Sequence, residues 1–261
     1  KIKILYSSKL VNKNVKRFLK LFSASFFSSG LLQINILIGT VIASYESGAI
    51  SYLYYADRIY QLPLALIGIA IGVALLPSIS KKIKSDTFDS INRSIEQTLL
   101  YSLFFAVPAS IGIFALSELI INVLFERGKF DAQSTSFTAE ALKFYSFGLV
   151  AFILMKIYTP IFFAYENVRP TLYVTAINLI INISLSIFLF IEVGFIGIPI
   201  ATSISAWISV LLMNYYLKKY NYFVIRKNIF APVSVIIAVS LVMFFYIFIL
   251  NKNLLFFLNF F

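Results

Sequence analysis

The stretch IYQLPLALIGIAIGVALLP, residues 59–77, carries no charged side chain. As a helix it rises close to 30 Å at about 1.5 Å per residue, the hydrocarbon thickness of a bilayer. Comparable apolar runs cover 21–44, 98–117, 145–164, 171–191, 196–217 and 229–250, and Lys156 is the one charge inside any of them. The runs are too long and too continuous for the alternating strands of a membrane barrel. With 60% hydrophobic and only 13% charged residues, the chain has more apolar surface than a water-soluble globule of 261 residues can bury. The fold class this predicts is all-α: a polytopic transmembrane helical bundle with about seven spans. An eighth begins at Leu254, and its eight residues reach only about 12 Å. The chain begins with Lys, and residues 1–20 hold seven basic residues and no long apolar core. That is not a signal peptide. A C-terminal or internal piece of a longer protein is the expectation.

The basic residues set an orientation. If residues 1–20 are cytoplasmic, sixteen of the 22 Lys and Arg fall on that side and five on the other, leaving Lys156 within a span. Such a bias predicts a cytoplasmic start. It also accounts for the net charge of +11 without nucleic-acid binding. No Cys and no His are present, so disulfides, thiolate or imidazole metal sites and His-based catalysis are excluded within this chain. No phosphate-cradling glycine loop or hydrolase signature appears, so the expectation is a non-enzyme that needs no cofactor.

Ionisable and polar groups at membrane depth are costly and point to function. Lys156 lies eight residues, about 12 Å of helix, from Ala164. Facing a cavity is the favoured reading over snorkelling. Pro160, one turn on, is expected to weaken the helix and free carbonyls. Asp57 and Arg58 stand side by side in YYADR, at the mouth of the 59–77 run. Two readings are open: an interfacial anchor beside Tyr52, Tyr54 and Tyr55, or a site in which Arg58 forks onto phosphate oxygens. Gln33 and Asn35 lie in the first run. Asn178 and Asn182 lie four apart on one face of the fifth, and Thr202, Ser203 and Ser205 lie in the sixth. Interhelical hydrogen bonding is the simpler reading of these, with a polar or ion-binding face as the alternative. Gly68 and Gly72 in GIAIG would let another helix approach closely.

Several strings, in order, resemble the MurJ/MviN family of lipid II flippases in bacterial peptidoglycan synthesis. They are QINILIGTVIAS (33–44), YLYYADRIYQLPLALIGIAIGVALLP (52–77), LFERGKF (124–130), FILMKIYTPIFFAYENVRP (152–170) and GIPIATSISAW (197–207). The resemblance implies an exporter of two six-helix lobes plus two further helices, of which this chain is similar to the C-terminal part. It divides the chain into a basic linker or amphipathic segment over 1–18, a six-helix lobe over 19–220, and one further helix with the start of the last over 221–261. It implies that Arg58 contacts the pyrophosphate of lipid II, with Asp57 orienting it; Lys156, which its depth makes cavity-facing, joins them as an expected substrate-binding residue. It implies residence in the bacterial inner membrane and partnership with membrane lipids and an N-terminal lobe. It also matches Gly39, Asn178, Asn182 and Thr202 to a cation-binding face, and Gly39 stands where some members carry an acid. The alternatives are a polysaccharide-lipid flippase or drug/cation antiporter of the same superfamily, and a non-transporting scaffold.

Overall fold

The computed structural model describes residues 13–85 and 87–258, and all its regular elements are helical. They are α1 (Lys13–Ala43), α2 (Ala49–Pro63), a π-helical turn (Leu64–Ile69), α3 (Ala70–Ser85), α4 (Phe88–Phe125), α5 (Ala132–Ala164), α6 (Arg169–Val193), α7 (Gly197–Lys219) and α8 (Phe230–Leu258). Five helical stretches are long and apolar enough to cross a membrane. One of them, Arg169–Lys219, contains both α6 and α7. Of the expected basic segment over 1–18, residues 1–12 lie outside the described residues, and α1 already runs from Lys13. The separate eighth span expected from Leu254 is not formed within the described residues. Asn251–Asn253 contains no Pro or Gly to stop a helix, and α8 continues through it to Leu258.

The central element is α5, apolar over most of its surface. Leu142, Leu149, Ile153, Ile157, Ile161 and Phe162 are fully buried along it, as a helix surrounded by others requires. Against it pack α4, α7 and the α2–α3 pair; α6 packs on α7, α1 on α6, and α8 on α4. α6 and α7 form an antiparallel hairpin through Gly194–Ile196. Gly194 has φ 68° and ψ −153°, a combination open to glycine almost alone. The Glu46 carboxylate covers this turn and accepts the Phe195 N–H at 2.8 Å, so the α1–α2 loop is fastened to the hairpin tip.

Helix α3 lies close to α5 because of GIAIG. A side-chain carbon on Gly72 would come within 2.7 Å of the Lys156 carbonyl oxygen. That carbonyl is the one whose helical partner would be the N–H of residue 160, and Pro160 has none. The carbonyl freed by Pro160 is therefore covered by Gly72. Upstream, Pro63 likewise has no N–H to continue the helical ladder, and the next six residues take the wider π register.

At the opposite end from the α4–α5 loop, the segment between α7 and α8 is held to α4. The buried Asn92 amide donates to the Val224 carbonyl at 3.0 Å and accepts the Val224 N–H at 2.9 Å. Glu96 accepts the Arg226 N–H at 3.2 Å, and the Arg226 guanidinium pairs with Asp89.

Candidate functional site

Helix α2 starts at Ala49, ten residues before the apolar run. Asp57 and Arg58 therefore lie inside the helix, about 12–14 Å from its first residue, rather than at its mouth. Successive helical residues point about 100° apart, and these two part company accordingly. Arg58 is exposed: its Nη2 donates to the Tyr54 hydroxyl at 2.9 Å and its guanidinium lies 4.5 Å from the Tyr54 ring centre. Asp57 turns inward and accepts a hydrogen bond from Gln61 Nε2, one turn on. The group that holds Arg58 is thus Tyr54, where the sequence reading had placed Asp57. The neighbouring Tyr55 ring packs on Phe125 at 4.8 Å and Phe130 at 5.3 Å, so YYADR and LFERGKF meet in space.

Asp57 faces a cavity of about 300 Å³ enclosed by α1, α2, α5, α6 and α7. Asn35 and Thr40 reach it from α1, Gln61 from α2, Asn182 from α6 and Thr202 from α7, with Tyr60 and Tyr145 closing one side. The two tyrosine rings stack with centroids 5.0 Å apart. Asn182 Nδ2 donates to Thr202 Oγ1 at 3.3 Å and to Ser205 Oγ at 3.2 Å, and Ser186 Oγ donates to Asn182 Oδ1 at 3.0 Å. Asn35 Oδ1 is buried and has no hydrogen-bond partner among the described residues. Gly39 also lines the cavity, and the one atom within 4 Å of a side-chain carbon there would be Ile198 Cγ2. The cavity thus holds one carboxylate, several neutral oxygens, and room at residue 39.

The polar residues singled out from the sequence divide. Asn35, Asn182 and Thr202 join Asp57 at the cavity. Asn178 does not: its amide bonds Ser209 Oγ at 2.8 Å within the α6–α7 hairpin, which is the interhelical role. Gln33 is on the exposed side of α1. Lys156 is exposed on the bundle surface, its stem packed over Gly68 beside the π turn, and it does not line this cavity. Four polar cavity residues are not singled out by the sequence: Thr40, Tyr60, Gln61 and Tyr145. Gln61 had a signal, since it stands one helical turn from Asp57; the two tyrosines read only as apolar-run aromatics.

Comparison with known proteins follows the same lines. The family model described as Lipid II flippase MurJ matches residues 1–261. The chain is 41% identical over 209 residues to a probable lipid II flippase MurJ of Rickettsia prowazekii, covering 80% of this chain and 41% of that protein. It is 38% identical over 216 residues to the corresponding protein of Rhizobium meliloti, covering 81% of this chain and 40% of that one. Among solved structures, an inward closed lipid II flippase MurJ superposes with a TM-score of 0.77 at 30% identity, over 94% of this chain and 51% of that chain. A MOP superfamily transporter from Pyrococcus furiosus superposes at 0.70 with 14% identity, over 86% of this chain and 51% of that one, and shows the fold alone. The chain thus spans about half the length, or less, of the relatives it matches.

Proposed function

This chain belongs to the lipid II flippase MurJ family, and from that premise we propose that it is the C-terminal lobe of a transporter carrying lipid II from the cytoplasmic to the periplasmic leaflet of the bacterial inner membrane. The observation that carries the reading is the family match along the whole chain, joined to a helical bundle that superposes on a solved member. The physical task is to move a polar, doubly charged pyrophosphate through hydrocarbon while the lipid tail stays in the membrane. An exposed guanidinium lowers the cost of that charge through two parallel N–H···O bonds. Arg58 takes this role. Tyr54 steadies its guanidinium from one side and leaves the other donors open. Lys156, exposed on α5 eight residues before its end, is a second point charge available to the substrate. The missing half of the cavity comes from an N-terminal lobe, and rocking of the two lobes opens the site to each face in turn.

Asp57 takes a different part within the same proposal. It points away from Arg58 into the interhelical cavity and is the carboxylate there. With Asn35, Asn182 and Thr202 it forms the polar face on which a coupling cation or proton would act, supplying the charge that Gly39 does not. Asn178 has no share in it.

The test is headgroup translocation by the intact protein in vesicles loaded with labelled lipid II on one leaflet. Transfer that depends on the protein and on Arg58 supports the reading. A protein that assembles with wall-synthesis partners but moves no headgroup would be a scaffold, and the proposal would fall.

A further inference from the structure

A second cavity, of about 380 Å³, opens between α4 and α5 on the side where the 126–131 loop joins them. Its charged lining is Glu118 from α4 and Glu140 and Lys143 from α5; Phe114, Phe144 and Phe147 supply the apolar wall. Ser136, Glu140 and Lys143 recur at helical spacing and share one face of α5. None of the three charged groups has an ion-pair or hydrogen-bond partner among the described residues. Glu118 and Glu140 are exposed and Lys143 is half-buried at the open mouth of this cavity, beside an apolar wall, an arrangement that matches a ligand with a charged head and an apolar tail.

Depth identifies its class. Glu118 stands seven residues, about 10 Å, inside the end of α4, and Glu140 eight residues, about 12 Å, inside the start of α5. At 38 residues, α4 is roughly 57 Å long, more than the 40–45 Å of a bilayer with its headgroups. The uncharged run 98–117 accounts for about 30 Å of hydrocarbon and ends just before Glu118, so the charges fall at headgroup level. The phenyl wall lies about a turn deeper, in hydrocarbon. There the Phe114 ring meets Phe147 at 5.1 Å and Phe244 of α8 at 6.1 Å. Phe147 is 53% exposed, and Trp207 Nε1 donates to its carbonyl at 2.9 Å.

We propose that this cavity is a binding site for a zwitterionic phospholipid with a primary-amine headgroup. The ammonium N–H groups bond Glu118 and Glu140, the phosphate meets Lys143 and the Ser136 hydroxyl, and the first acyl methylenes lie along Phe114, Phe144 and Phe147. Two carboxylates against one ammonium repel anionic lipids. A quaternary ammonium has no N–H to offer the carboxylates, so choline lipids are disfavoured. The site is separate from Arg58 and does not depend on the flippase reading.

The experiment places the intact protein in nanodiscs of equal phosphatidylethanolamine, phosphatidylcholine and phosphatidylglycerol and reads the lipids retained on extraction by native mass spectrometry. Phosphatidylethanolamine should be retained about tenfold over the other two. Combining Glu118→Gln with Glu140→Gln should bring it level with phosphatidylcholine, and Lys143→Gln should lower its retention. The comparison between lipids uses the unmutated protein, so a variant that fails to fold does not remove the test. Equal retention of the three lipids overturns the proposal. So does undiminished selectivity in the double variant, or a photoreactive group at Phe147 that captures a protein chain in place of lipid.

Discussion

The carbonyl oxygen of Lys156 and the bare α-carbon of Gly72 face each other across the α3–α5 contact, with 2.7 Å left for any side-chain carbon placed on Gly72. The obstacle is backbone, already shaped by Pro160, and it cannot rotate aside as a side chain does. Gly72→Ala should therefore push α3 from α5 and lower stability by about 1–3 kcal/mol. Gly68 differs, because its nearest neighbours are the Leu64 Cδ1 and Lys156 Cγ atoms at 3.3 and 3.4 Å, both on flexible side chains. Gly68→Ala should cost clearly less. Thermal unfolding of the two variants in detergent checks the order, and equal melting temperatures would remove the significance given to Gly72.

Arg58 is held by Tyr54 through both a hydrogen bond and a ring contact. On the proposed reading, Arg58→Ala should reduce lipid II translocation at least tenfold, since it removes a guanidinium fork onto the pyrophosphate. Arg58→Lys keeps the charge and loses the fork, so an intermediate rate is expected. Tyr54→Phe keeps the ring and loses the hydroxyl, and should fall by only a few-fold. Complementation of a depleted strain, scored beside protein level in the membrane, measures all three. Normal growth of Arg58→Ala would remove Arg58 from the substrate path.

Uncharged runs made the helices legible, because an apolar stretch of twenty residues has few other places to go. Their lengths were not legible. α4 starts ten residues before its expected span and α5 thirteen before. These extra turns carry polar residues that read as loop, yet contain no Gly or Pro to end a helix. The same error put Asp57 and Arg58 at a helix mouth. Of the candidate site, the spacing of Asn178 and Asn182 places both on one helix face, and both do turn to α7, Asn178 to Ser209 and Asn182 to Thr202 and Ser205. It did not show that one faces Ser209 and the other the cavity, since a few tens of degrees of rotation decide that. The π turn had only Pro63 to announce it, and a missing N–H does not say which register follows.

Asp131 supplies a pH test outside the membrane-spanning segments. Its side chain caps α5 by accepting the Ser134 N–H at 2.8 Å, and that bond holds the exposed carboxyl below its usual range. A folded-state value depressed in this way contributes stability above the unfolded carboxylate pKa of about 4. That contribution is lost as pH falls through the lowered folded value. Amide exchange of residues 134–136 should therefore be protected at neutral pH and quicken, relative to the intrinsic rate, in acid below about pH 4. Asp131→Asn retains a capping oxygen without a titrating group, and its protection should be flat over that range.

Asn92 fastens the α7–α8 connection by matching both backbone groups of Val224, one as donor and one as acceptor. It is fully buried, and Glu96 shares the same amide at 3.1 Å while accepting the Arg226 N–H. Asn92→Ala leaves the Val224 N–H and carbonyl without their partner and should cost about 1–3 kcal/mol. Asn92→Asp is a sharper test. It preserves the acceptor for the Val224 N–H, removes the donor to the Val224 carbonyl, and sets a second carboxylate beside Glu96. If the donor and the neutral charge both matter, Asn92→Asp should be at least as damaging as Asn92→Ala near neutral pH and partly relieved in mild acid, where protonation restores a donor. Hydrogen exchange over residues 220–229 reads the effect directly, because α8 has its own packing on α4, through Phe244 on Phe114, apart from this linker. Unchanged protection there in both variants would show that the Arg226 pairs with Asp89 and Glu96 suffice to hold the connection.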